Sequence, residues 1–535
     1  MRGNGSLPPQ KIMKTKLPSL LFLLLAATAS PALAQQVWYV DAGNPAAMDW
    51  PGYGILEQFP YDTVQYAIDQ AAPGDTINIL PGTYVESLYV TKELKLEGMP
   101  RATMQMPPGA SVLLEIDAGA GDIGADMVVQ GLDFVANASG GFQTGLWMHN
   151  DWSETMATDI SPLIQGNSFT DFGIGIVIES YAEGTSHALI RHNHITSTKD
   201  LETAPSAFGI TFQTLGGSID AQTRSNLIEK AEWGIGLLAD WGAIRSLHAS
   251  DRIMRCEWGM VATGDAVSDA VHQTIGFGHP ASPVPDVKGI ESWMPSQVTV
   301  TNSIIWIPDE VSPDGFAVNG IDLLGDGIVL DSFTTVEDNG DPNPQFVDPA
   351  NFDLHLQSTS PCIDAADNTP IQPGAALEVA TDNDGRPRVL DHAFDGTMIA
   401  DRGAHEYTMV DLDLLSSAYP GYSPSGERFP QIRDTGAMTF ELTGPPKSLY
   451  FLWVQPKLGE FNYLSFASLG NLLLLPQLIL SQGVMPATGQ LSLNYSLNGA
   501  AAEAEWEAQA VFISEVAPGD HRGAFSRRMD IEINP

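Results

Sequence analysis

Between residues 144 and 262 the chain repeats one phrase: an aromatic or polar residue, then glycine, then apolar residues at alternate positions. It is spelled Thr144-Gly145-Leu146-Trp147-Met148, Phe172-Gly173-Ile174-Gly175-Ile176, Phe208-Gly209-Ile210-Thr211-Phe212, Trp233-Gly234-Ile235-Gly236-Leu237 and Trp258-Gly259-Met260-Val261-Ala262. The glycines recur every 25 to 36 residues, the self-similarity of stacked strand-turn-strand coils and not of a domain around one central core. A second unit, apolar-x-x-Asn-x-apolar, precedes them at Ile164 to Phe169 and at Ile190 to Ile195, with related forms at Asn226-Leu227-Ile228 and Asn302-Ser303-Ile304. Asparagine tolerates left-handed backbone, so it is expected to mark the corner of each coil.

Strand side chains alternate between faces. With the glycines as reference, the residues one and three places on are expected to face the core: Leu146 and Met148, Ile174 and Ile176, Ile210 and Phe212, Ile235 and Leu237, Met260 and Ala262. The residue before each glycine falls on the same side. Phe172, Phe208, Trp233 and Trp258 are therefore expected to stack as an internal aromatic ladder.

Upstream, Thr63 to Ala72 reads as an amphipathic helix with Val64, Ala67, Ile68 and Ala71 on one face, and Pro73-Gly74-Asp75 and Pro81-Gly82 turn the chain on either side of a strand. Together with the repeats, this stretch resembles the N-terminal cap and first coil of secreted bacterial proteins of the pectin-lyase-like superfamily. The resemblance covers about residues 37–407 and implies an all-β fold, a right-handed parallel β-helix whose exposed first edge the helix would cover. It does not fix an activity, because this architecture carries lyases, hydrolases and adhesins.

Four regions follow. Residues 1–34 read as a secretory signal peptide: Lys11, Lys14 and Lys16 precede the apolar run Leu17 to Ala29, and Pro31-Ala32-Leu33-Ala34 offers a small-residue cleavage site. Residues 35–75 supply a strand, a loop and the capping helix. Residues 76–407 form the β-helix, with coils to about 335 and, from about 343, a closing segment similar to that of many secreted β-helix proteins, including Thr381-Asp382-Asn383-Asp384-Gly385-Arg386-Pro387-Arg388 and Asp401-Arg402-Gly403-Ala404-His405-Glu406-Tyr407. Residues 408–535 read as a small β-sandwich with a core of Phe440, Leu449, Phe451, Leu464 and Val511, resembling a C-terminal domain of exported planctomycete-type proteins.

The chain carries 65 acidic and 25 basic residues, of which 52 and 14 lie in 35–407. Such an excess argues against nucleic acid and anionic membrane as partners, since both need phosphate-neutralising cations. It also disfavours a uronate polysaccharide unless Ca²⁺ bridges the charges, and Ca²⁺ is the one cofactor the sequence leaves open. No segment is apolar enough for a membrane span after the signal, and a monomer is expected. The two cysteines, Cys256 and Cys362, lie far apart in coil order and are not expected to pair.

Candidate chemistry sits on outward positions. Six places after the glycines stand Asp151, Glu179, Leu215, Asp240 and Asp265, with Trp152 and Trp241 one further. Coils stack about 4.8 Å apart, so carboxylates in such a column would repel, raising one pKa or recruiting a cation. Paired carboxylates flanked by indole faces are what a glycosidase or sugar-binding groove requires. Asp151, Glu179, Asp240 and the neighbouring His149 are the candidate catalytic groups, Trp147, Trp152 and Trp241 the candidate binding groups, and no metal ligand set is assigned. Asp382-Asn383-Asp384-Gly385 lacks the closing glutamate of a calcium loop and reads as a turn. The catalytic phrases of pectate lyases and polygalacturonases are missing. Three readings remain: an exported or cell-surface protein that binds a polysaccharide or surface glycan, which we favour; a polysaccharide hydrolase or lyase with a divergent carboxylate site; and a structural or adhesive solenoid.

Overall fold

The computed structural model describes residues 35–534 apart from short stretches, the longest being 151–157, 199–207, 277–287, 307–318, 372–380, 390–398, 457–463 and 497–503. The expected signal segment lies outside the described residues, as do Asp151 and Trp152. From Val37 to Val336, 27 strands join in one sheet, and each pairs in parallel with its equivalent one coil away. Ile174–Tyr181, for example, lies between Thr144–His149 and Phe208–Leu215. The chain is a parallel β-helix over this span.

The helix Val64–Gln70 forms where the apolar spacing places it, with Val64, Ala67 and Ile68 buried. Thr63 caps it, its hydroxyl accepting from the Tyr66 amide, and Glu86 accepts from the amides of Val64 and Gln65, so a distant carboxylate satisfies the first-turn donors. The edge of the first coil is taken by the strand Val37–Val40, paired with Thr76–Ile79. A helical cap over an open edge is thus not evident.

Close packing at one corner sets the register of the outer sheet. Gly145, Gly175, Gly209, Gly234 and Gly259 stack in successive coils, and a Cβ added at any of them would come within 2.8 Å of the carbonyl oxygen of the next glycine in the row. No larger residue fits there. The equivalent of Gly145 is therefore Gly175 and not Gly173, because Ile174 pairs with Thr144 and with Phe208. Two expectations fall with that shift of two residues. Ile174 is only half-buried and faces outward, while Ile176 and Ile178 take the core positions. Phe208, Trp233 and Trp258 do align, but on the outer face, since each row glycine and the residue after it both turn inward. Phe172 is separate from them and packs at a corner against Phe169. The internal aromatic stack is instead Phe134 on Phe169, with ring centroids 4.8 Å apart.

The asparagines hold a different corner, by their side chains. Left-handed backbone falls on the residue before Asn167, Asn193 and Asn226, at Gly166, His192 and Ser225, but on Asn302 itself as expected, and Ser250 and His272 share it in the coils between. The Asn167 amide N–H donates to Asn193 Oδ1, that of Asn193 to Asn226 Oδ1, and that of Asn226 to Asp251 Oδ1. Each asparagine Nδ2 also donates to a carbonyl of the preceding coil, such as Ile164 for Asn193. A corner that turns its backbone polar groups inward stays satisfied this way.

Segment 360–407 docks along this corner through polar contacts. Arg388 is fully buried, pairs with Glu406 and donates to Ser250 Oγ and to the carbonyls of Gly403 and Ala404. Asp382 accepts from the Glu406 amide, a structural role in keeping with its reading as part of a turn. Cys256 and Cys362 are both buried and free. Beyond Asp411 the pairing becomes largely antiparallel, in a three-stranded and a seven-stranded sheet that share a core of Phe440, Leu442, Leu452, Ala510 and Phe512. Of the core expected there, Phe440 and Val511 are buried, but Leu449 is exposed and Phe451 half-buried because Tyr450 and Leu452 on the opposite side of that strand face inward. The Leu464 side chain lies outside the described residues.

We predict that Asn193→Ala, which strands the buried Asn167 N–H and Ile164 carbonyl, lowers stability by about 2–4 kcal/mol in chemical denaturation. The last ladder residue, Asp251, gives a pH signature. Burial pushes its carboxyl up to about 6, so the folded chain holds that proton more tightly than the unfolded chain, and the stability it contributes in acid is lost as pH rises. Relative to the parent, Asp251→Asn should gain about 1–3 kcal/mol between about pH 4 and about pH 7. A difference that is flat in pH would contradict this.

Candidate functional site

Three outward rows run across the sheet containing Thr144–His149 and Ile174–Tyr181. The register aligns Val112, Thr144, Ile174, Phe208, Trp233 and Trp258 in the first; Glu115, Trp147, Val177, Thr211, Gly236 and Val261 in the second; and Asp117, His149, Glu179, Gln213, Leu238 and Thr263 in the third. Gly236 leaves a gap in the second row, and the Trp233 ring lies over it, where a Cβ would meet Trp233 Cε3 at 3.0 Å. Phe208 meets Trp233 edge-to-face at 5.0 Å, and Phe142 meets Phe208 likewise at 6.3 Å.

These residues wall a groove of about 450 Å³ lined by aromatic and aliphatic groups, with Trp147, Thr211, Gln213 and Glu179 among them. Glu179 is the one ionisable group among the described lining residues. Its Oε2 accepts from Trp147 Nε1 at 2.8 Å and from the Tyr181 hydroxyl at 2.6 Å. Burial, then that hydrogen bond, raises the Tyr181 pKa well above its ordinary value. Glu179 is thus fixed in place and Tyr181 is kept as a donor. Thr211 also lines the groove, with its hydroxyl oxygen sealed beneath the surface and without a hydrogen-bond partner among the described residues.

At one end of the groove sit Glu115, Asp117 and His149, whose donor atoms all lie within 4.8 Å of one another. His149 points outward as the alternation requires, yet is only 2 % exposed, because Trp147 lies against its ring at 4.3 Å and Tyr181 meets it edge-on. The Tyr89 hydroxyl donates to Asp117 Oδ2 at 2.6 Å.

Of the residues expected at a site, Trp147, His149 and Glu179 come together. The acidic column does not form. Glu179 stands between His149 and Gln213, Leu215 pairs with Tyr181, and Asp265 pairs with Ala243. Asp240 falls in the register break between Ala239 and Ala243, exposed at the groove's margin, where Gln213 Nε2 lies 3.5 Å from Asp240 Oδ2. Trp241 is 79 % exposed and is not among the described residues that line the groove. Equal counting from the glycines failed here because coil lengths differ. Glu115, Asp117, Thr211 and the outward Phe208 and Trp233 were not foreseen as site residues, although the alternation around Trp147 carries them once the register is known.

No family model matches the sequence, and no curated protein matches it. Among solved structures, a rhamnogalacturonan lyase is similar at 10 % identity, over 56 % of this chain and 87 % of that one, with a TM-score of 0.25. The architecture rests on the strand pairings and not on that likeness. Among the described residues no helix is long and apolar enough to cross a membrane.

The register has a direct test. Ile176→Ala removes a fully buried core side chain and should cost about 2–5 kcal/mol, whereas Ile174→Ala trims a groove wall and should cost under about 1 kcal/mol. Equal losses in thermal unfolding would mean that both face the core.

Proposed function

We propose that this chain is an exported β-helix protein that binds a glycan in the outer groove. The observation that carries the reading is the aromatic wall that Trp147, Phe208 and Trp233 present to the groove beside Gln213 and Glu179. A pyranose offers apolar C–H faces to aromatic rings and hydroxyls to polar side chains. Gln213 and Glu179 supply an adaptable donor and a fixed acceptor there. The groove has no basic lining residue among those described, so its chemistry suits an uncharged saccharide better than a uronate.

A second reading, a polysaccharide hydrolase or lyase, is favoured by the convergence of Glu115, Asp117, His149 and Glu179 at the groove's end. Carboxylates in unlike environments are the raw material of acid/base catalysis on sugars. Binding without release of reducing ends or unsaturated products separates the first reading from this one.

The purified chain, screened against neutral and uronic polysaccharides, should retain a neutral one. Trp233→Ala should weaken that binding at least severalfold through lost stacking, and Gln213→Ala severalfold through a lost hydrogen bond. Trp241→Ala, at an exposed position outside the groove lining, should leave it unchanged. Retention of full affinity by both groove variants would overturn the proposal.

A further inference from the structure

We propose that the loop 48–60, at the N-terminal end of the solenoid, docks a basic amphipathic segment of a partner protein. The loop exposes Met48, Trp50, Ile55, Leu56 and Phe59, each between 46 % and 63 % accessible. With about 200 Å² on a large side chain, five such half-exposed groups present on the order of 500 Å² of apolar surface, the range in which a patch marks an interaction site.

Backbone bonds hold the loop in this shape. The Tyr39 amide donates to the Gly54 carbonyl and the Gly54 amide to the Phe59 carbonyl, both at 2.7 Å, and the Met48 amide donates to the Pro60 carbonyl at 3.1 Å. Asp49 accepts from the amides of Asp62 and Thr63 and from the Thr63 hydroxyl. Gly54, at φ +77°, runs so close to Tyr61 that a Cβ would sit 2.3 Å from its ring. Tyr61 is buried there, so the space beneath the loop is filled and the five apolar groups stay outside. Tyr53 meets Phe59 edge-to-face at 6.0 Å. A surface already fixed in this way loses little freedom when a partner lands on it.

Charge selects the partner. Residues 35–91 hold seven acidic side chains and no lysine, arginine or histidine. Glu57 on the loop and Asp62 beside it are exposed. Burial, with repulsion from Asp49 and Asp62 adding to it, raises the Glu86 pKa, so these carboxylates share one field. An apolar centre with an acidic rim is complementary to an apolar stripe flanked by lysine or arginine. A second copy of the chain would set like charge against like, and the patch falls short of the roughly 800 Å² per partner that a standard interface takes. Anionic lipid is repelled as well. A single basic amphipathic helix fits both the size and the charge. The loop contributes no residue to the described groove lining, so the inference does not rest on the glycan reading.

The test is fluorescence anisotropy of the purified chain with a labelled synthetic helix of leucine and lysine, apolar along one face, at physiological salt. We expect saturable one-to-one binding at micromolar affinity. Trp50→Ala combined with Leu56→Ser should weaken it at least tenfold at an unchanged melting temperature, because both side chains are more than half exposed. Glu57→Gln combined with Asp62→Asn should weaken it and flatten its salt dependence. A peptide of the same composition with its leucines scattered should bind at least tenfold more weakly. Equal binding of the scattered peptide, or full affinity in the Trp50→Ala, Leu56→Ser variant, would mean that charge alone draws the peptide and would overturn the proposal. So would self-association through the patch in sedimentation equilibrium, or binding to phosphatidylcholine vesicles through Trp50 with no uptake of the peptide.

Discussion

The rest of the molecule depends on how closely one coil approaches the next at the glycine row. Where Gly145, Gly175, Gly209, Gly234 and Gly259 stack, the space a Cβ would need is already held by the next coil's carbonyl. Parallel strands have no tight turn to fix their register, and a slip would move whole rows between core and solvent. A row of sites that admits only glycine supplies the missing constraint. Because the glycine and its successor both turn inward, the residue before it is left outside, and Phe208 and Trp233 become groove walls instead of core.

The opposite requirement rules the asparagine corner. There the backbone turns inward, and its N–H groups would be lost to water without partners. The side chains of Asn167, Asn193, Asn226 and Asp251 replace that water coil by coil, each serving two coils at once. The same corner, with its left-handed residues, receives the closing segment through Arg388 and its partners. Buried ionic groups contribute little net stability, but they discriminate strongly against a misplaced partner, since any shift strands a charge. A polar dock therefore sets where the closing segment sits more than how tightly it is held.

The architecture was legible in the sequence because stacked repeats must spell their constraints again in each coil. The glycines, the asparagines and the alternating isoleucines are such spellings. The error at Phe172-Gly173-Ile174-Gly175-Ile176 has a physical source: two glycines two apart satisfy the same alternation, and only the pairing of Ile174 with Thr144 breaks the tie. The acidic column failed for a related reason. Distances counted along the chain are preserved between coils only up to the first insertion, and the break at Ala239/Ala243 lies just before Asp265. Glu115 and Asp117 escaped notice because their coil carries Leu113 where the later coils carry glycine, so the repeat gave no sign that their strand belonged to the same row.

What joins the groove to the carboxylate-imidazole cluster is Trp147. Its indole walls the groove, its Nε1 binds Glu179, and its ring lies against His149. A ligand that presses on the indole would act on the imidazole and on the Glu179 carboxylate together, while a charge set beside His149 would alter the field felt across the ring. Coupling of this kind needs only contact and low local dielectric, both present where His149 is almost fully covered. The two features thus occupy adjacent coils of one rigid sheet, held in register by the glycine row that lies a few residues away on the same strands.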